Sequence, residues 1–164
     1  MSTPDTIITV SLSRQRLSLR IDDRIVMDVA VSTAARGAGE QSGSECTPRG
    51  LHTIRARIGA GCAINTVFRG RRPTGEFYDQ EMARHFPGRD WILTRILWLS
   101  GLEPGKNRLG NVDTMRRYIY IHGTPDDTPL GQPGSHGCIR MANVDVIRLF
   151  DQVSVGTRVF ISEE

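Results

Sequence analysis

The stretch GSHGCIRM, residues 134–141, sets His136 two residues before Cys138 inside a turn flanked by Gly134 and Gly137. A cysteine kept only for packing needs no polar, flexible approach, so these glycines point to a backbone bent to present the sulfur. A thiol is mostly protonated at neutral pH and acts as a nucleophile only beside a base or in an electropositive setting. Two imidazoles are at hand. His136 lies too close along the chain to be an obvious partner. His122 lies sixteen residues upstream, and the intervening loop, with Pro129, Gly131, Pro133 and Gly134, is long enough to fold back onto Cys138.

Three other readings compete with a thiol nucleophile. Cys138 is first a small hydrophobe that packs well. Second, His122, His136 and Cys138 offer three zinc ligands, with Cys46 or Cys62 as a fourth, although no Cys-x2-Cys pair exists and His-x-Cys is not a usual finger spacing. Third, the histidines simply cap strand ends, which suffices for His85 and His52. Cys46 and Cys62 have no histidine or helix start beside them and are read as non-catalytic.

The elements that must position these residues are mostly strands. Val10 and Leu12, then Leu17, Leu19 and Ile21, then Ile25, Met27, Val29 and Val31 alternate with polar residues at period two, which predicts a three-stranded meander. Residues 32–50, rich in Gly and Ser, form a long loop, and LHTIRARIG resumes a strand from Leu51. Residues 60–88 carry no clear pattern beyond a short helix around Asp79 to His85. WILTRILWLSGL, residues 91–102, fits a helix or two short strands, and its β-branched and aromatic content favours strand. The run Tyr118 to Ile121 is a strand that delivers His122 at its end. After Met141, Val146, Leu149, Phe150 and Val153, with Val144 and Ile147, have helical spacing. Asn143 is the expected N-cap there, and Asp145 sits in the first turn. A last strand covers residues 157–161.

Composition bounds the rest. The 164 residues, with 38% apolar and 24% charged side chains, predict one globular domain over 1–164. No apolar run approaches the roughly 20 residues that span a bilayer. The opening MSTPDTIITV has no basic and apolar leader pattern, and three unpaired cysteines suit a reducing compartment, so a cytoplasmic location is expected. The basic residues are twenty arginines and the single Lys106, for a net charge of +3. Only Arg69, Arg71 and Arg72 cluster, and no aromatic is interleaved with them, which argues against a nucleic-acid surface and leaves room for a small anionic ligand. No cofactor, metal or membrane partner is expected, and the oligomeric state is open.

Strand-His-Gly-Thr, a Pro/Gly loop, Ser-His-Gly-Cys-Ile-Arg and then a helix resembles the L,D-transpeptidase catalytic domain, the YkuD-type family of peptidoglycan enzymes. The signature residues are His122, Ser135, His136, Gly137, Cys138, Ile139 and Arg140, and none departs from the family's pattern. The opening strands and CTPRGLHTIRARIG resemble the family more loosely, and residues 62–111 match least.

The resemblance implies a mostly-β (α+β) fold, a YkuD-type β-sandwich with a helix after the cysteine turn. It also implies that Cys138 attacks the carbonyl before the terminal D-amino acid of a peptidoglycan stem peptide or muropeptide, with His122 as base and then acid. The second ring nitrogen of His122 is then expected to rest on a carbonyl such as that of Gly123. The N–H groups of Gly137 and Cys138 are the expected oxyanion donors, and His136 shapes the turn. On the substrate side, Ser135 and Gly123 are grouped with Arg140, which either bonds loop carbonyls or grips a carboxylate, and with Arg95 as a second cation for that work. With a cytoplasmic location, the resemblance favours an L,D-carboxypeptidase that trims tetrapeptides in recycling. The alternatives are a transpeptidase and an inactive muropeptide-binding module.

Overall fold

The computed structural model describes residues 3–164, so the first two residues of the stretch read for a leader lie outside the described residues. β1 (Thr6–Ser11), β2 (Arg16–Ile21) and β3 (Arg24–Ser32) form the antiparallel meander that the alternating pattern predicts. Val10, Leu17, Leu19 and Val31 are wholly buried, but Ile25 is 67% exposed. Leu19 pairs with Met27 while Arg20 pairs with Ile25, so Val26 is an extra residue in a β-bulge that turns the start of β3 outward.

The long loop leads into β4 (Gly50–Ile58). The unpatterned middle then folds as a hairpin of β5 (Thr66–Arg69) and β6 (Arg72–Phe77), followed by α1 (Gln80–His85). Asp79 caps that helix by accepting the Met82 N–H at 2.8 Å. Residues 91–102 resolve as one nine-residue strand, β7 (Leu93–Gly101), in place of a helix or two short strands. It stays continuous because irregularities in its pairing with β8 and with β4 absorb the bending.

β8 (Tyr120–Thr124) starts later than the apolar run suggests, since Tyr118 sits in a turn at φ +57°; His122 is therefore in mid-strand, not at a strand end. β9 (Ile139–Ala142), α2 (Asn143–Gln152) and β10 (Arg158–Ser162) complete the chain. The fold is mostly β, with the helix placed directly after the cysteine turn and strand.

Hydrogen bonding runs β4, β10, β1, β2, β3, β9, β8, β7 and returns from β7 to β4. The sandwich thus closes into a ring, with the β5–β6 hairpin attached to β7 where Val67 meets Leu93. The ring encloses one apolar cluster, including Ile8, Ile54, Leu97, Leu99, Ile121, Ile139, Met141 and Val159. Val146, Leu149 and Phe150 of α2 join it, each contributing about 1.5–3 kcal/mol by leaving water. Val144, at the helix start, faces out.

Asn143 is not the N-cap. Ala142 holds that position without a side-chain bond, and Asn143 is the first helical residue. Its fully buried amide is drawn inward because it can satisfy three strands and loops at once: it accepts from Thr94 Oγ1 at 2.6 Å and donates to Asn65 Oδ1 at 3.1 Å and Asp126 Oδ1 at 3.2 Å. A Cβ on Gly123 would collide with this amide oxygen and lie 2.6 Å from the Leu93 carbonyl, so only glycine lets β7, β8 and α2 meet here. Replacing Asn143 by Ala leaves the buried Thr94 O–H without its acceptor, although that oxygen still receives the Asn65 N–H, and removes the tie. The expected cost is about 2–3 kcal/mol, read as a lower urea midpoint at unchanged m-value.

Candidate active site

β8 and β9 are parallel neighbours with Ile121 opposite Ile139 and His122 opposite Arg140. Ile121 and Ile139 point into the apolar interior, so by strand alternation Tyr120, His122, Cys138 and Arg140 share the other face. Cys138 stands diagonally from His122, two residues back along its strand. The loop of residues 125–137 does fold back, and strand pairing is what brings imidazole and thiol to one surface.

The turn that carries Cys138 is held from several sides. Gly137 adopts φ +132°, and a Cβ there would press on Ile119 at 3.1 Å and on the Cys46 carbonyl at 3.3 Å. The buried Ser135 hydroxyl donates to the Cys138 carbonyl at 2.5 Å and accepts the Gly137 N–H at 3.2 Å. Thr47, wholly buried in the long loop, donates to the Gly137 carbonyl at 2.9 Å and accepts the Ala34 N–H at 3.0 Å. The Arg117 guanidinium ties the same loop down, bonding the carbonyls of Gly39, Glu40 and Cys46 and the Ser44 hydroxyl.

These bonds settle what each residue can offer a ligand. Ser135 staples the turn from inside and has no exposed oxygen for a substrate. Gly137 N–H is occupied by Ser135, whereas the Cys138 N–H has no acceptor among the described residues and is the free donor of the turn. Gly123 is buried, and its carbonyl lies 2.6 Å from His122 Nδ1. With Nδ1–H donating there, Nε2 carries the lone pair. Arg95 does not reach the thiol. It lies on the opposite face of β7 from Ile96 and Trp98, bonded to the carbonyls of Cys62 and Thr94 and stacked near Phe150. Arg140 bonds the Gly134 carbonyl at 3.0 Å and Asp90 at 2.9 Å. His136 is exposed and lies 3.8 Å from the other oxygen of Asp90.

Cys138 is at the bottom of a cleft of about 390 Å³, lined by Gly70, Arg71, Asp90, Ile92, Tyr118, Tyr120 and His136. His136 separates it from a smaller cleft of about 220 Å³ that includes Arg117 and Glu45. The thiol accepts the Tyr120 N–H at 3.3 Å and donates to the Tyr118 carbonyl at 3.4 Å, and it has no hydrogen bond to His122. Among the described residues, no group of three or more His, Cys, Asp or Glu is arranged to hold a metal ion.

Sequence reading missed Asp90, Arg71, Tyr120, Arg117 and Thr47. Asp90 reaches Arg140 across 50 residues with no motif of its own, and Arg71 and Tyr120 are brought together only by the β5–β6 hairpin. Thr47 alone carried a signal, as the threonine of CTPRG.

Although Cys138 keeps some exposure at the cleft floor, the protein packed around its sulfur pushes the thiol up to about 12, against the opposing pull of the Tyr120 N–H. Burial lowers the affinity of His122 for a proton, with the Gly123 carbonyl and Asp90 working the other way. Asp90 is held below the usual carboxylate range: burial alone would raise it, and the charges of His122, Arg140 and His136 together with the Arg140 hydrogen bond outweigh that. At neutral pH the resting pair is a neutral thiol and a neutral imidazole. The thiolate fraction grows as pH rises toward the thiol's high value, so alkylation of Cys138 by iodoacetamide, followed on its own peptide, should climb about tenfold per pH unit from pH 7 to 9. A plateau already reached at pH 6 would instead mean a resting thiolate–imidazolium pair.

Comparison with known proteins agrees with the mostly-β fold. The family profile of the L,D-transpeptidase catalytic domain (YkuD) matches residues 5–161. The YkuD protein of Bacillus subtilis (strain 168) is 38% identical over 90 residues, 55% of this chain and 44% of that protein. The chain thus matches less than half of that relative's length. An L,D-transpeptidase from Mycobacterium smegmatis superposes with a TM-score of 0.62 at 16% identity, covering 97% of this chain and 59% of that one. L,D-transpeptidase 3 from Mycobacterium tuberculosis, in complex with a faropenem-derived adduct, gives 0.60 at 16% identity over 98% of this chain and 61% of that one. With a family match across nearly its whole length, the chain belongs to the L,D-transpeptidase catalytic domain family.

Proposed function

We propose that the protein is a cysteine acyltransferase of peptidoglycan stem peptides. The observation that carries this reading is the placement of Cys138 and His122 on one face of adjacent parallel strands, with the thiol at the floor of an open cleft. Sγ attacks the carbonyl that links the third stem residue to the terminal D-amino acid. His122 Nε2 takes the thiol proton as the S–C bond forms and returns it to the amine as the C–N bond breaks, leaving a thioester and a free D-amino acid. The free Cys138 N–H is suited to the oxyanion, where one such donor is worth about 10²–10³ in rate. His136, exposed at the rim beside Asp90, shapes the cleft wall and takes no proton in this scheme.

Water is the proposed acceptor, which makes the reaction an L,D-carboxypeptidase step of muropeptide recycling in the cytoplasm. The cleft is open, so water has direct access to a thioester at Cys138. Attack by an amine in place of water turns the same intermediate into transpeptidation or D-amino-acid exchange.

Incubating a disaccharide tetrapeptide with the protein, with and without excess D-methionine, separates these by mass spectrometry. Loss of terminal D-alanine in both tubes is the expected result; a D-methionine-exchanged product reassigns the protein to transpeptidation. Cys138→Ala should cut turnover by at least about 10³-fold with the fold intact, and His122→Ala should slow acylation at neutral pH. Faropenem should add mass to Cys138. Peptides left unchanged, together with a thiol inert to faropenem, would leave a binding module as the reading.

A further inference from the structure

We infer that Arg71 is the carboxylate receiver of the Cys138 cleft. The inference rests on the stem-peptide reading for the identity of the ligand, and on the geometry alone for the existence of the site.

Gly70 and Arg71 form the two-residue turn of the β5–β6 hairpin, with φ of +55° and +64°, the backbone of a type I′ turn. That turn sets the Arg71 guanidinium at the cleft. It lies 4.8 Å from the centroids of both the Trp98 and the Tyr118 rings and donates through Nη1 to the Tyr120 hydroxyl at 3.1 Å. Stacking on two rings and a phenol anchor fix its plane in advance, which suits a guanidinium to bidentate capture of a planar anion. Of its five N–H donors, this one bond is the only one made, and no carboxylate lies within ion-pair distance of it among the described residues.

The other cations near the thiol are occupied. Arg140 is paired with Asp90 and the Gly134 carbonyl. Arg117 is held by four loop acceptors on the far side of His136. Arg95 faces away. Asp90 and Arg140 balance one another beside His136, so an anionic group entering above Cys138 finds its unpaired cation at Arg71. Two carboxylates of a donor peptide are close enough to the attacked carbonyl to be received: that of the departing terminal D-residue, and one borne on the side chain of the third residue.

The first test needs no peptide. Rates of alkylation of Cys138 are measured with anionic iodoacetate and neutral iodoacetamide at one pH and low salt, in wild type, Arg71→Met and Arg71→Lys. Both reagents attack the same thiolate, so their ratio cancels any change in thiol acidity or in the folded fraction. The iodoacetate-to-iodoacetamide ratio should fall about fivefold or more in Arg71→Met and less in Arg71→Lys. An unchanged ratio overturns the proposal.

The peptide arms identify the source. If the terminal carboxylate is the ligand, amidating it raises KM about tenfold in wild type and Arg71→Met adds nothing further on that substrate. If the third residue supplies it, a stem lacking that side-chain carboxylate shows the same pattern. An equal KM rise in Arg71→Met on every substrate, including one lacking both carboxylates, marks a merely structural residue and overturns the proposal. Should wild type turn over none of these peptides, the stem-peptide reading fails while the alkylation ratio still decides the role of Arg71.

Discussion

The parallel register of β8 on β9 is the constraint on which the site depends. It pairs Ile121 with Ile139 inward and thereby commits His122 and Cys138, two residues out of step on neighbouring strands, to the outer face. A slip of one residue in either strand would send one of the two into the apolar interior, so the core that buries Ile121 and Ile139 also enforces the chemistry outside it. Parallel strands need a crossover, and residues 125–137 supply one that ends in the turn presenting the thiol. The Ser135, Thr47 and Gly137 contacts then fix where that turn stops and β9 begins.

The second layer of support comes from the opposite edge of β8. β7 carries Trp98 toward the cleft and Leu97 into the interior, and its upper end anchors the hairpin that reaches back over Cys138. Asn143 joins that end of β7 to the start of α2, while Gly123 makes the room for this contact and lends its carbonyl to His122. One short segment of β8 thus serves packing, the orientation of the imidazole and the passage of the next strand.

What was legible in the amino-acid order was whatever is local. The meander declared itself by alternation, α2 by its apolar spacing, and the histidine and cysteine by a motif in which they lie sixteen residues apart. The bulge at Val26 escaped because an inserted residue leaves the alternation of each half intact and changes only how the halves face. Asn143 looked like an N-cap since its side chain suits that position, yet three buried polar partners outbid the helix terminus. Arg95 and Arg140 looked alike as cations near the motif; strand parity turned one inward and an aspartate 50 residues away claimed the other. None of these outcomes is encoded within a window of ten residues, because each is decided by which strand lies next to which.

The distribution of charge follows the same logic. Burial disfavours both the thiolate and the imidazolium, so the two groups that the mechanism uses are uncharged at rest. The permanent charges stand at the rim instead, with Asp90 paired to Arg140 and Arg71 uncompensated among the described residues. A ligand seated as proposed, with its carboxylate on Arg71, enters this field with a preferred orientation. A thiol held neutral at rest reacts slowly with small electrophiles, in keeping with a sulfur whose hydrogen bonds are to the Tyr120 N–H and the Tyr118 carbonyl and not to a cation.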